Sequence, residues 1–358
     1  MSEGLTGPVL VVGAGLLGTS IGLALRRNDV EVWLTDVNQE NVRTASGLGA
    51  GVPAPADLPG SGPRLVVVAV PPALLGQEIG AALARFPDAV VTDVGSVKGE
   101  PLAAVAKSAG LERYVGSHPM AGSERSGPLA ASASLFDGRP WAVVPHAGST
   151  PQAVHTVVSL AHVCGATALE MAPDEHDVAV ARISHVPHLL AVLVAGRLAE
   201  APPEHLALSG QGVRDVTRVA GGDPALWEQI VTGNAAAVLR LLGEVRGQLD
   251  VLIDAVSTGS ADALAALLDR GVEGTQAIPG KHGGPPRPMR SVFVSVPDHP
   301  GELARLFADA GASEVNIEDI HIDHDPGRPV GLVELLVEEA RAEYLLGALE
   351  SRGWVTHR

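Results

Sequence analysis

The chain is poor in cysteine, in aromatic residues and in positive charge, and each shortage excludes a class of structure or partner. The single cysteine among 358 residues, Cys164, rules out an intramolecular disulfide framework and a cysteine-based zinc cluster. Aromatic residues form 3% of the chain against 46% hydrophobic residues, so the core must consist of Ala, Val and Leu. The formal net charge of −16 argues against nucleic acid as a partner, because phosphates need a basic surface.

The sequence shows no signal for export or for membrane insertion. Its N-terminal MSEGLTGP has no basic segment before an apolar run. No apolar run free of charges and Gly/Pro breaks is long enough to cross a membrane. We therefore expect a cytoplasmic protein without membrane contact.

The first residues carry a dinucleotide-binding pattern. The apolar run Pro8 to Val12 ends in Gly13-Ala14-Gly15-Leu16-Leu17-Gly18, a helical pattern follows, and the strand Val30 to Thr35 ends at Asp36. The three glycines would allow a tight turn, close approach of a pyrophosphate and packing of the helix on the strand. Asp36 would bind the adenosine ribose hydroxyls and repel a 2′-phosphate, which favours NAD over NADP. A plain βαβ turn with chance glycines is the alternative.

Strands and helices continue to alternate to about residue 171. The apolar runs Arg64 to Val70, Ala89 to Val94 and Trp141 to Pro145 predict strands, with helical patterns between the first two and after the second. This alternation predicts a parallel doubly wound α/β sheet of Rossmann type, whose ligand lies at the carboxyl ends of the strands. Further cofactor contacts are therefore expected at residues that follow strand ends, namely Val70, Pro71, Asp93 and Ser96.

The remaining chain has a different character. From Pro173 the patterns are helical, with a bend expected at Pro187, and the apolar excess suggests burial against a second subunit in a homodimer. A Gly/Pro-rich stretch then precedes a βαββαβ pattern, which is typical of a ferredoxin-like module. The predicted organisation is a dinucleotide-binding domain (1–171), an all-helical substrate and dimerisation domain (172–271), a linker (272–289) and a C-terminal module (290–358).

The segment Val115 to Gly127, VGSHPMAGSERSG, is expected to be the loop that carries the chemistry. Its His118 has an unperturbed pKa near neutral pH, and Gly allows close approach of a ligand. Ser96 also follows a strand end, so a Ser96–His118 hydrogen bond is expected. A surface-loop histidine is the alternative for His118, and Lys98 reads as a lysine on a helix surface.

The helical region offers further polar side chains. His185 and His188 lie three residues apart on one helix face, with His176 upstream. They could form a metal pair, which would need a third ligand, or bind substrate, or be core residues. Arg214 and Arg218 can face one way and clamp a carboxylate, although Arg214 could instead hold Asp215 or a helix end.

Four motifs together resemble the prephenate/arogenate dehydrogenases of tyrosine biosynthesis, in order and over the whole of the first two domains. They are DVGSVK (Asp93 to Lys98), GSHPMAGSE (Gly116 to Glu124), EHD with SHVPH (Glu175 to Asp177, Ser184 to His188) and GVRDVTRVAGGDPALW (Gly212 to Trp227). The C-terminal module, which opens VPDHPGEL, resembles an ACT regulatory domain.

The resemblance implies oxidative decarboxylation of a cyclohexadienyl substrate, with NAD as hydride acceptor and loss of the ring carboxylate as CO2. His118 would draw off the proton of the ring hydroxyl, with Ser96 orienting both groups. Arg218 matches the carboxylate-binding arginine of the family. The other implied substrate residues are His188, His185, His176, Arg214, Trp227, Gln211 and Ser123, and an aromatic amino-acid effector would bind near Asp298, Gly301 and Asn316.

Several alternatives remain open from the sequence. Gln211 stands where many family members carry Gly, so prephenate and arogenate are both possible substrates. A β-hydroxyacid dehydrogenase would need a catalytic lysine in the helical domain, yet none occurs between Lys107 and Lys281. A protein without catalytic activity, a sensor that binds NAD and an amino acid, is the alternative outside the enzymes. No metal is expected.

Overall fold

Five short parallel strands form the central sheet, in a computed structural model that describes residues 5–56, 62–122, 125–278, 288–323 and 330–357. Four of them are nearly wholly apolar and buried, as expected of strands covered on both faces: β1 (Val9–Val12), β2 (Val32–Thr35), β4 (Leu65–Val68) and β5 (Val90–Asp93). With the two-residue β3 (Val52–Pro53), the order is β3-β2-β1-β4-β5. The predicted parallel Rossmann-type sheet is confirmed.

Helices pack against both faces of this sheet: α1 (Leu16–Arg27), α2 (Gln39–Gly47), α3 (Leu75–Arg85), α4 (Gly99–Val105) and α5 (Pro151–Val163). Alternate strand residues enter two cores, since Val9 packs with α1, α2 and α5 while Leu10 packs with α3 and α4. Thr150 caps α5 by accepting the N–H of Ala153 at 3.2 Å. α4, with seven residues, is the helix predicted after the run Ala89 to Val94.

A second sheet corrects the prediction of a continuous loop around His118. It contains β6 (Gly116–Pro119), β7 (Pro140–Val144) and β8 (Thr167–Glu170), with β6 antiparallel to β7. His118 lies opposite Ala142 in this ladder. The N–H of Val115 donates to the carbonyl of Val91 at 3.0 Å, so β6 starts at the edge of the first sheet. A strand forms despite the Gly/Ser composition because its backbone finds partners on both sides.

The helical region follows as predicted: α6 (Pro173–Val180), α7 (Val186–Leu198), α8 (Pro203–Leu206), α9 (Gln211–Thr217), α10 (Pro224–Gly233) and α11 (Ala235–Thr258). A π-helical turn, Ala181–His185, joins α6 to α7 directly before Pro187, where a bend was expected. Asp223 caps α10 by accepting the N–H of Ala225 at 2.9 Å. The all-helical second region is confirmed.

By length and composition, the described helical run Pro173–Leu198 could cross a membrane. Its polar residues, however, hydrogen-bond inside the protein: His176 bonds to His118, and His185 bonds to Asn234. Both histidines are buried. We therefore treat this run as part of the helical region.

The chain divides into two compact units, Met1–Asp254 and Ala255–Arg358, and the division falls inside α11. The second unit contains α12 (Ala261–Gln276), β9 (Met289–Pro297), α13 (Glu302–Gly311), β10 (Ile317–Asp323), β11 (Val330–Glu338), α14 (Glu339–Ser351) and β12 (Val355–His357). Its antiparallel sheet has the order β10-β11-β9-β12, and one face forms a core with α13 and α14. The βαββαβ element order agrees with the prediction, whereas the domain limits at 171, 271 and 289 stay a prediction.

Candidate active site

A cleft of about 750 Å³ lies at the carboxyl ends of the parallel strands. Gly13 has a φ of +101°, and a Cβ there would lie 2.4 Å from the carbonyl oxygen of Ala69. A Cβ at Gly18 would lie 1.9 Å from the carbonyl oxygen of Gly13, so the helix packs tightly on the turn. At Gly15 a Cβ would meet nothing within 4 Å, which leaves open space at the N-terminus of α1. This arrangement fits a dinucleotide pyrophosphate.

Asp36 lies at the end of β2 and lines the same cleft. Its Oδ2 accepts the N–H of Ala14 at 2.7 Å, and its Oδ1 accepts the N–H of Asn38 at 2.7 Å. The carboxylate is thereby fixed beside the glycine turn, where a ribose would lie. Val70 and Pro71 also line the cleft.

Five residues expected at the cofactor lie outside the lining of this cleft, namely Leu16, Leu17, Gly18, Asp93 and Ser96. Leu16 and Leu17 are half-buried in the first turn of α1. Asp93 is fully buried and paired with Lys98, so its side chain cannot reach a ligand in the cleft. Lys98 is 1% exposed, which makes the expectation of a surface lysine wrong.

His118, on β6, begins a chain of hydrogen bonds that runs away from the cleft. Its Nδ1 lies 3.0 Å from Nε2 of His176, and Nδ1 of His176 lies 2.8 Å from Oδ1 of Asp177. Asp177 also accepts the backbone N–H groups of Lys98 at 2.9 Å and Gly99 at 2.8 Å. Although burial alone would raise it, these hydrogen bonds hold the pKa of Asp177 below its ordinary value.

The direction of these bonds fixes the tautomers of the two rings. An ionised Asp177 only accepts, so His176 carries its proton on Nδ1 and presents a bare Nε2. His118 must then donate from Nδ1, which leaves its Nε2 lone pair free to accept a proton. Burial is the largest cause that lowers the pKa of His118 well below its ordinary value, and a positive charge on His176, Lys98 or His185 lowers it further. The site therefore holds a neutral imidazole with one basic nitrogen.

The expected Ser96–His118 hydrogen bond is not found: among the described residues, His118 bonds to His176. Ser96 is half-buried. The proposed roles of Ser96 as orienting group and cofactor ligand stay predictions.

A second pocket, of about 330 Å³, lies beside the helical region. Its main feature is Trp227, whose ring is stacked on His188 with centroids 3.5 Å apart and planes 6° apart. His188 is 5% exposed, and its Nδ1 finds no hydrogen-bond partner among the described residues. Gly222 allows this stack, because a Cβ there would lie 2.5 Å from Nε1 of Trp227. Burial lowers the pKa of His188, and a backbone hydrogen bond to Val219 raises it, so the ring is held between Trp227 and the backbone at Val219.

The segment after β6 borders both spaces. Gly122 lines the pocket with His188, whereas Ser126 and Gly127 line the nucleotide cleft. Described residues shortly after β6 thus line both cavities, although His118 itself lines neither.

The remaining predicted substrate residues are spread more widely. His185 is buried, its Nδ1 lies 3.3 Å from Nδ2 of Asn234, and its ring meets Trp227 edge-on. Burial lowers the pKa of His185 to about 4. Gln211, an exposed residue, donates to Asp215 at 2.8 Å, so Asp215 is held by Gln211.

Arg214 and Arg218 are exposed, and neither lines the two cavities described above. Ser123 lies outside the described residues. Within the described part of the chain, no group of three or more His, Cys, Asp or Glu side chains is arranged to hold a metal ion.

Sequence reasoning missed the partners of His118. The sequence shows Asp177 as a neighbour of His176 but does not show that it orients this ring. It also gives no signal for the contact between Asn234 and His185. The adjacent His-Asp pair on a helix was the available signal, since a carboxylate next to a histidine is a common orienting partner.

A nucleotide cleft on a parallel sheet, a neutral histidine with one basic nitrogen and an aromatic-walled pocket in a helical region together define a nucleotide-dependent dehydrogenase with a separate helical substrate region. Residues 21–170 match the prephenate dehydrogenase nucleotide-binding domain, and residues 172–270 match the prephenate dehydrogenase dimerization domain. The chain belongs to the prephenate dehydrogenase family.

Individual relatives agree with this assignment. A probable prephenate dehydrogenase, NovF, of Streptomyces niveus is 36% identical over 358 residues, covering 96% of this chain and 98% of the relative. The crystal structure of prephenate dehydrogenase from A. aeolicus with hydroxyphenyl propionate and NAD+ has a TM-score of 0.68 at 27% identity, covering 75% of this chain and 96% of that chain. Synechocystis arogenate dehydrogenase has a TM-score of 0.64 at 28% identity, covering 75% and 98%. The predicted enzyme class is confirmed over the β-hydroxyacid dehydrogenase and sensor alternatives.

Proposed function

We propose that the chain is an NAD-dependent prephenate dehydrogenase that converts prephenate to 4-hydroxyphenylpyruvate, with His118 as the proton acceptor. The observation that carries this proposal is the hydrogen-bonded chain from His118 through His176 to Asp177. It leaves one basic nitrogen on His118, on the strand that directly precedes the residues lining both cavities. A ring hydroxyl needs such an acceptor when its carbon loses hydride.

The cleft that contains the glycine turn and Asp36 fits NAD, which supplies the hydride acceptor. Nε2 of His118 takes the proton of the ring hydroxyl as the carbonyl forms. When the ring carboxylate leaves as CO2, its bonding electrons enter the ring and the oxygen becomes a phenol. His118 returns the proton to that oxygen, so no proton has to leave the site.

The other roles follow from position. His188 offers its unpartnered Nδ1 in the second pocket, and Trp227 forms a wall of that pocket. Arg218 matches the family arginine that binds a substrate carboxylate, and a guanidinium is suited to that task. His176 acts through His118 and is a positioning residue.

Replacement of His118 by Asn tests the assignment. The amide can still donate to His176, but it offers no basic nitrogen, so we expect kcat to fall by about 10²- to 10⁴-fold. NAD affinity, measured by fluorescence titration, should change less than about twofold. His155→Asn, at an exposed position on α5, is the matched control. Activity that survives His118→Asn would show that another group accepts the proton.

Arogenate is the second candidate substrate. The similarity to Synechocystis arogenate dehydrogenase favours keeping it. Prephenate ends in a keto acid and arogenate in an amino acid, so the kcat/KM ratio for the two, measured by NADH formation, decides between them. A ratio above one supports prephenate dehydrogenase.

We propose that residues 290–358 form an ACT regulatory domain that binds an aromatic amino acid near Asp298, Gly301 and Asn316. All three are exposed, Gly301 has a φ of +95° directly before α13, and Asn316 donates to Glu318 at 2.6 Å. Titration of tyrosine, phenylalanine and tryptophan against activity tests this. No effect from any of them would leave the module without a regulatory role.

We also propose a homodimer. Leu193 on α7 and Leu239 on α11 are 65% and 69% exposed, in the region that matches a dimerization domain. Such exposed apolar side chains are typical of an interface. The mass by light scattering should be twice that of the chain. A cytoplasmic location, as expected from the sequence, fits the free thiol of Cys164.

A further inference from the structure

Three buried polar side chains lie directly beneath the strand that carries His118. Lys98, Asp93 and Tyr114 are 1%, 0% and 2% exposed. The ammonium of Lys98 pairs with Oδ1 of Asp93, and Oδ2 of Asp93 accepts the hydroxyl of Tyr114 at 2.8 Å. We call these three residues the buried triad. None of them touches the nucleotide cleft or the pocket of His188.

The triad is attached to the two residues before His118. Nζ of Lys98 donates to the carbonyl of Ser117 at 2.8 Å, and Oγ of Ser117 donates to the carbonyl of Asp93 at 2.8 Å. The backbone at Gly116 lies against the triad, because a Cβ there would be 2.9 Å from Cδ of Lys98. Only glycine allows this close approach.

Holding a strand in place does not require charge. A buried ion pair loses hydration on both ions, and apolar groups of similar volume often stabilise a core equally well. The charges of the triad therefore point to a purpose beyond packing. The nearest titratable ring on the strand they support is that of His118.

We propose that Lys98, held by Asp93 and Tyr114, is a positioning residue for His118: it fastens the strand through Ser117 and supplies a buried positive charge that disfavours the imidazolium. This inference rests on the proposed role of His118 as proton acceptor. Its consequence is that His118 stays neutral at the pH of the reaction and returns its proton readily once the phenol forms.

The titratable groups around His118 come from several elements, and His176, Lys98 and His185 act on its pKa. The titratable groups are His176 and Asp177 of α6, His185 of the π turn, Tyr114 before β6, and Asp93 and Lys98 between β5 and α4. Burial is the largest cause of the lowered pKa of His118, followed by His176 and then Lys98. Replacing Lys98 leaves the first two causes in place and removes the third.

Lys98→Met is the direct test, since Met keeps much of the length of the side chain without its charge. An unpaired buried Asp93 takes up a proton, so the variant lacks both charges. The acidic midpoint of the kcat–pH profile should rise by about half a pH unit, which is less than the effect of one unpaired unit charge because the opposite charge of Asp93 is lost with that of Lys98. NMR titration of His118, identified by its absence in His118→Asn, should show the same rise.

The NMR titration distinguishes a failure of this inference about Lys98 from a failure of the proposed role of His118. If His118 is not the proton acceptor, the kcat profile will not follow the NMR midpoint, yet the NMR midpoint will still move. If the midpoint of His118 does not move in the NMR titration, the inference about Lys98 is wrong whatever the activity.

A second variant tests the inference if Lys98→Met does not fold. Asp93→Asn with Lys98→Met has no lone carboxyl, and Asn still accepts the Tyr114 hydroxyl, so it should fold and show the same upward shift. Lys107→Met, at an exposed lysine, is the matched control and should leave the profile unchanged. A lower kcat with an unmoved midpoint in the double variant would reduce the triad to a packing role.

Discussion

Asp177→Asn should reduce turnover by reversing a tautomer, without removing any group that touches the substrate. The carboxylate of Asp177 accepts three N–H groups, from His176, Lys98 and Gly99. An amide has one oxygen and one NH2 group, so it cannot accept all three. If the NH2 group faces His176, that ring must accept at Nδ1 and carry its proton on Nε2. His118 would then carry its proton on the nitrogen that faces the substrate.

The size of the effect follows from the strength of the lost bond. A hydrogen bond to a charged group contributes about 1.5–3 kcal/mol, and the tautomer balance shifts by that amount when the charge is lost. This corresponds to a decrease in the competent fraction of His118 by about 10- to 150-fold. The same decrease is expected in kcat at every pH where His118 is neutral. Oδ1 of Asp177 serves both His176 and Lys98, so each orientation of the amide opposes one backbone N–H: that of Lys98 when the NH2 group faces His176, and that of Gly99 when the oxygen does.

The assay is NADH formation at saturating prephenate and NAD, from pH 5 to 9. Asp174→Asn changes the same chemical group at an exposed position on the same helix and should stay within about twofold of the unaltered enzyme. The KM for NAD should be unchanged, because Asp177 is remote from the glycine turn. A plateau kcat for Asp177→Asn that equals that of the control would refute the argument that Asp177 sets the tautomer of His118.

Two further predictions concern the helical region. The pKa of His185 is about 4, so between pH 6.5 and pH 4 the unfolded chain binds a proton that the folded chain does not bind. The free energy of unfolding should therefore fall by about 3 kcal/mol by pH 4. Calorimetry should show a smaller acid-induced fall in Tm for His185→Asn than for the unaltered protein. Gly222→Ala places a Cβ 2.5 Å from Nε1 of Trp227, so the stack of Trp227 on His188 should break. The KM for prephenate should then rise about three- to tenfold. An unchanged KM would mean that the stack is not part of the substrate pocket.

The sequence predicts the parallel sheet well because its signals are local. The run Pro8 to Val12, the glycine turn and Asp36 lie within one βαβ unit, so each can be recognised from residues close to it in the sequence. The caps Thr150 and Asp223 are local too, since each accepts an N–H two or three residues further on. Such features need no knowledge of distant partners.

The surroundings of His118 could not be predicted in the same way, because they are set by tertiary contacts. Gly116 to Pro119 has the composition of a loop, yet it is a strand since β7 and β5 supply partners. Lys98 follows a turn and has a charged side chain, both typical of a surface, yet Asp93 neutralises it inside the core. The pairing of His118 with His176 joins residues 58 positions apart.

Two networks meet at His118 and control different properties of its ring. Asp177 acts through His176 on which nitrogen carries the proton, an exchange between neutral forms that does not depend on pH. Lys98 acts on the energy of the charged form, which changes the pH at which the ring protonates. The two networks meet at the backbone N–H groups of Lys98 and Gly99, which donate to Asp177 and do not depend on the side chain of Lys98. In one pH profile, therefore, the height of the plateau reports on Asp177 and the midpoint of the acidic limb reports on Lys98.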